Sequence, residues 1–88
     1  MGRSTPLIRT VATPAYGRVV IEASDGNRYS SDLSSFHKVW CYPADADAWS
    51  RVSVDSYGLA LVWACRFEAH VDQIVALADK IEPVDAAA

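Results

Sequence analysis

Asp25-Gly26 stands between two β-rich runs, residues 19–23 and 27–33. No other step in the chain constrains the fold as much. An Asp-Gly pair flanked by extended runs is the strongest short-range signal for a β-hairpin. Two registers compete. A two-residue loop, Asp25-Gly26, sets Ile21 opposite Ser30 and Val19 opposite Asp32. A three-residue loop, Ser24-Asp25-Gly26 with Gly26 left-handed, sets Ile21 opposite Tyr29, Glu22 opposite Arg28 and Arg18 opposite Asp32. Because side chains alternate along a strand, this one-residue difference changes every cross-strand pair. The longer loop yields an aromatic–β-branched pair and two opposite-charge pairs, each worth about 0.2–1 kcal/mol, and is the preferred register.

The rest of the chain reads as layers added to that hairpin. Residues 7–13 form a partly β-branched strand that stops at Pro14, which cannot donate to a ladder. Ala15-Tyr16-Gly17 then turns the chain into the hairpin, so the first three strands make an antiparallel meander. Ser34-Ser35 caps a short helix over 36–40, with Phe36, Val39 and Trp40 on one face. Tyr42-Pro43 breaks it. Asp45 caps a single turn over 46–49 that ends with Trp49 toward the core. Residues 51–55 alternate strictly. Residues 59–65 are apolar on both faces, as in an inner strand. Phe67, Val71, Ile74, Ala78 and Ile81 recur at helical spacing and predict an amphipathic helix ended by Pro83.

The expected fold is therefore α+β. It has an antiparallel sheet of about five strands, short helical turns, and one C-terminal amphipathic helix packed on the sheet. A single domain spans 1–88, with an ordered core of about 6–82 and loose tails over 1–5 and 84–88.

Composition narrows the function. The 88 residues are 51% hydrophobic, enough for a core and too apolar for a disordered chain. Net charge is −3, and the eight basic residues are scattered, whereas a phosphate-gripping surface needs them clustered. Autonomous nucleic-acid binding is not expected. No apolar h-region follows Met1, and no run approaches the roughly 18 apolar residues of a membrane span, so a cytoplasmic protein without membrane contact is expected.

Chemistry is sparse. There is no phosphate loop, dinucleotide fingerprint or nucleophile elbow, and the serines and aspartates read as turn and cap residues. Neither an enzyme nor a bound cofactor is expected. His37, Cys41, Cys65 and His70 have the types and the number that suit tetrahedral zinc, but the tight Cys-x2–4-Cys knuckle of structural zinc is missing. The simpler reading makes the cysteines small core hydrophobes and the histidines exposed residues at helix starts. A Cys41–Cys65 disulfide is allowed by number and disfavoured in a cytosolic chain. Trp49 and Trp63 read as core. Trp40, Tyr42 and Tyr57 are candidates for a partner surface, since Trp and Tyr dominate interface hot spots.

The order of these marks resembles a known family. Strand–Asp-Gly–strand–Asp32-Leu33-Ser34, Trp40 and Pro43, the Asp45-to-Trp49 turn, the run 51–55, Gly58, and a strand ending in Trp63 are similar to a family of small bacterial proteins. That family is catalogued as domain of unknown function number twenty-four forty-two, and the likeness covers roughly residues 7–77. The family pattern continues after the tryptophan with Pro-Asn-Gly and an acidic residue. This chain has Ala64-Cys65-Arg66-Phe67-Glu68, so the Asn is lost and Glu68 stands for the acid. Members of the family occur alone, fused to a helix-turn-helix domain, or beside another small protein in pairs that look like toxin–antitoxin systems. The resemblance implies a small α+β domain with a protein partner, and no known reaction. The expected function is a non-enzymatic interaction or regulatory module, such as the antitoxin-like half of a two-protein system. Its partner would be another small protein or a second copy. The alternative is a small-ligand or metal-sensing domain built on the His/Cys cluster.

Overall fold

The meander forms as expected. In the computed structural model, which describes residues 6–84, β1 (Ile8–Ala15), β2 (Arg18–Ala23) and β3 (Asn27–Asp32) are consecutive antiparallel neighbours. The β2–β3 hairpin adopts the three-residue loop, pairing Ile21 with Tyr29, Glu22 with Arg28 and Arg18 with Asp32. Gly26 takes φ +87°, and its N–H donates to Ala23 O at 3.1 Å. Asp25 holds the loop further. Its carboxylate accepts the Asn27 N–H at 3.0 Å and the Tyr29 hydroxyl at 2.5 Å.

β1 runs through Pro14 instead of stopping before it. Pro14 falls in a register shift on an edge strand, where a missing N–H costs no ladder bond. After β3 only a 3-10 turn forms, Ser34–Phe36, in place of the helix expected over 36–40. The next helix, α1 (Ala46–Ser50), is capped as expected by Asp45, whose carboxylate accepts the Ala48 N–H at 2.9 Å.

The expected single sheet of about five strands is two sheets. The meander gains a fourth strand, β7 (Ala78–Pro83), to give the order β1-β2-β3-β7, while β4 (Val52–Val54), β5 (Ala60–Trp63) and β6 (Glu68–His70) make a separate sheet with β5 central. The C-terminal amphipathic helix does not form. Its span is divided among β6, a short helix α2 (Val71–Ala76) and β7 (Ala78–Pro83). Phe67, Ala69 and Val71 are buried while Glu68 and His70 are exposed, which is the period of a strand. β6 supplies the second neighbour of β5, and β7 pairs along β3.

The core lies between the inner faces of the sheets. Val19, Ile21, Leu33, Trp49, Leu61, Trp63 and Ile74 are almost completely shielded from water. Trp49 and Trp63 stack with ring centroids 4.7 Å apart. The indole N–H of Trp49 donates to Arg18 O at 3.0 Å, and that of Trp63 donates to Trp49 O at 2.7 Å. Both sheets are thus tied through α1.

The expected loose tails lie outside the described residues, apart from Val84. The Val84 N–H donates to Gly26 O at 2.8 Å, which anchors the chain just past β7. No helix among the described residues is long and apolar enough to cross a membrane.

Candidate functional site

Three surfaces bear on function, and the fold builds two of them from residues distant in sequence. The first surrounds Gly58. The β4–β5 connection opens with Asp55, whose carboxylate accepts the backbone N–H groups of Tyr57 at 3.1 Å and Leu59 at 2.8 Å. This Asx turn is what the position of Asp55 after a strand predicts. Gly58 takes φ +73°, and its carbonyl accepts the Ile8 N–H at 2.7 Å. Any side chain there would meet Ile8 O at 3.0 Å and Leu7 Cβ at 3.2 Å. The close approach sets Leu7 against the turn, and Tyr57 and Leu59 flank it. Leu7 is 42%, Tyr57 75% and Leu59 44% exposed.

The second surface is the loop 37–42. Trp40 projects from it at 89% exposure, while Phe36 and Tyr42 at its two ends face inward. Tyr42 lies 5.2 Å from Phe67 and 5.4 Å from Trp49 between ring centroids, and burial pushes its hydroxyl pKa up. Of the three aromatics considered for a partner surface, Trp40 and Tyr57 stand in solvent and Tyr42 packs against the core.

The third is the set His37, Cys41, Cys65 and His70. His37 ends the 3-10 turn, its Nδ1 2.9 Å from Ser34 O. His70 begins α2, its N–H donating to Gln73 Oε1 at 2.9 Å. A contact links Cys65 to the backbone of Cys41: the Cys65 thiol donates to Cys41 O at 2.9 Å. Among the described residues no three His, Cys, Asp or Glu side chains are grouped to hold a metal ion. Cys41 packs against the core, but Cys65 does not fill it and is exposed. The reason is local. Ala64-Cys65-Arg66 is the loop of the β5–β6 hairpin, and Cys65 sits at its tip.

A cleft of about 340 Å³ lies beside the β2–β3 loop, lined by Arg9, Thr10, Glu22, Ala23, Gly26 and Val84. Its carboxylate is already paired, Glu22 with Arg28 at 3.1 Å.

Sequence reasoning missed the Leu7–Tyr57–Leu59 cluster because Leu7 and the β4–β5 turn are some fifty residues apart. Only Gly58 hinted at it, as a position where another backbone can come close. No protein-family model matches the chain, and no curated protein or solved structure matches it either.

Proposed function

We propose that the protein is a non-enzymatic, cytoplasmic interaction module, and that Tyr57, Leu59 and Leu7 form the centre of its partner surface. The observation that carries this reading is the apolar group around Gly58. There an aromatic and two leucines stand in solvent on a backbone held by the Asp55 turn and the Ile8–Gly58 bond. Rigid aromatic anchors of this kind supply most of the energy of protein interfaces, because little conformational freedom is lost on binding. Trp40 offers a second anchor on a separate loop.

The family resemblance supports another small protein as the partner, in an antitoxin-like pairing. The family pattern places a glycine where this chain has Arg66, and Arg66 takes φ +77°, a conformation suited to glycine. The metal-sensing alternative retains only the Cys41–Cys65 contact.

The test is native mass spectrometry of tagged protein isolated from its own host at natural expression. A reproducible second polypeptide, absent from the Tyr57→Ala preparation, supports the reading. A bare monomer in both preparations counts against it. A homodimer dispersed by Tyr57→Ala would make a second copy the occupant of the same surface.

A further inference from the structure

We propose that Cys41 and Cys65 are a redox pair that closes a reversible intramolecular disulfide, fastening the 37–42 loop to the β5–β6 turn. The inference stands apart from the interaction reading and needs no partner.

The starting observation is the thiol of Cys65, 2.9 Å from the carbonyl oxygen of Cys41. Covalent geometry then limits the separation of the two Cα atoms to about 8 Å. A disulfide usually spans about 4.4–6.8 Å between Cα atoms, so rotation of the side chains and a small loop movement suffice.

The juxtaposition does not depend on the loop alone. Phe36 and Tyr42 bracket Cys41 in sequence, and both lie against Phe67, with centroids 6.1 and 5.2 Å away. Phe67 is a buried core residue two positions after Cys65. The hydrophobic core therefore holds both segments side by side. Between Phe36 and Pro43 the backbone is in turns, not in a sheet ladder, so it has room to adjust.

The two thiols also differ in access. Cys65 is exposed at a hairpin tip, and Cys41 is partly buried beneath it. That suits Cys65 to meet an oxidant first and Cys41 to resolve the product. With a hydroperoxide as oxidant, the Cys65 thiolate attacks the terminal peroxide oxygen. The O–O bond breaks, leaving a sulfenic acid on Cys65 and an alcohol, or water from hydrogen peroxide. The Cys41 thiolate then attacks the sulfenic sulfur. The S–S bond forms, hydroxide leaves and is protonated to water. In sum two thiols give up two electrons and two hydrogens, and one peroxide is reduced. An external dithiol reverses the reaction by exchange.

The experiment treats the full chain, freed of reductant, with one equivalent of hydrogen peroxide and follows thiol titre and intact mass. The expected product is a monomer lighter by about 2 Da, with both thiols lost together. Proteolysis should give a Cys41–Cys65 linked peptide that dithiothreitol separates. Closing a loop of this size should raise Tm by about 10–20 °C. Cys65→Ser, a change at the exposed position, should abolish both the mass loss and the rise in Tm. Addition of oxygen to Cys65 while Cys41 stays titratable would overturn the proposal. So would a covalent dimer through Cys65 as the main product.

Discussion

The Ser31 hydroxyl donates to the backbone carbonyl of Ile74 over 2.6 Å, and both groups are shut away from water. Ser31 belongs to β3 and Ile74 to α2, so the bond joins the meander to the segment between β6 and β7. A helix leaves its last carbonyls without intrahelical donors. Here a side chain from the sheet supplies one of them, and the chain is free to leave α2 and enter β7. Ser31→Ala removes this donor and leaves the buried carbonyl without it. It should cost about 1–3 kcal/mol, seen as a lower urea midpoint at unchanged m-value.

The Trp63–Trp49 bond makes a similar prediction between the two sheets. Trp63→Phe keeps an aromatic ring in the stack but removes the indole N–H that satisfies Trp49 O. The expected loss is about 2–4 kcal/mol, from the unpaired carbonyl and the reduced ring volume together. Urea denaturation monitored through the remaining tryptophans measures it.

The two three-residue hairpin loops differ in how well their third residue fits. Gly26 ends one loop at φ +87°, and Arg66 ends the other at φ +77°. Only the second strains a side chain. Arg66→Gly should therefore stabilise the protein by about 1 kcal/mol, a rise in Tm of about 4–8 °C by calorimetry.

Gly58 is the converse case. Its positive φ and the 3.0 Å approach of Ile8 O leave no place for a methyl group. Gly58→Ala should cost about 2 kcal/mol or more, and amide exchange should accelerate at Ile8, whose N–H bonds to the Gly58 carbonyl.

Acid should lower the protein's stability through three carboxylates. The Arg18 guanidinium, bonded to both oxygens, holds Asp79 below the usual carboxylate range. Ser34 holds Asp32 low by hydrogen bonding. For Asp25, burial works in the opposite direction, but the Tyr29 hydroxyl and the Asn27 N–H outweigh it. A carboxylate whose pKa is depressed by folding stabilises the native state above its unfolded pKa. That stability is lost as the pH falls through the folded value. Tm should be nearly constant from pH 7 to about 5 and drop below about pH 4, with a smaller drop in Asp79→Asn.

Much of the meander was legible because its causes are local. Asp25-Gly26 dictates a turn, and the Glu22–Arg28 ion pair and the Ile21–Tyr29 pair fit the register; Arg18, though set opposite Asp32, gives its guanidinium to Asp79 of β7 instead. Asp45 caps α1 from the position a cap must occupy. The segment after Phe67 misled for a definite reason. Phe67 and Val71 satisfy a helical period and an alternating one equally, and the buried Ala69 that distinguishes them carries little hydrophobic signal. The candidate sites were less legible still. Trp40 and Tyr57 were recognisable as aromatics available to a partner, but nothing nearby in sequence places Leu7 against Gly58 or Cys65 over Cys41.

The sequence by itself determined the elements whose geometry is stabilised within a few residues: the hairpin at Asp25-Gly26, the cap of α1 and the Asx turn at Asp55. Tertiary structure alone decided that the strands divide into two sheets. It also decided that the last segment becomes strand, helix and strand. Those outcomes rest on pairings such as Tyr29 with Ile81 and Leu61 with Ala69, and on the Ser31 bond to Ile74. A backbone group pairs with whichever strand the folded core brings beside it, and that choice leaves no local period to read.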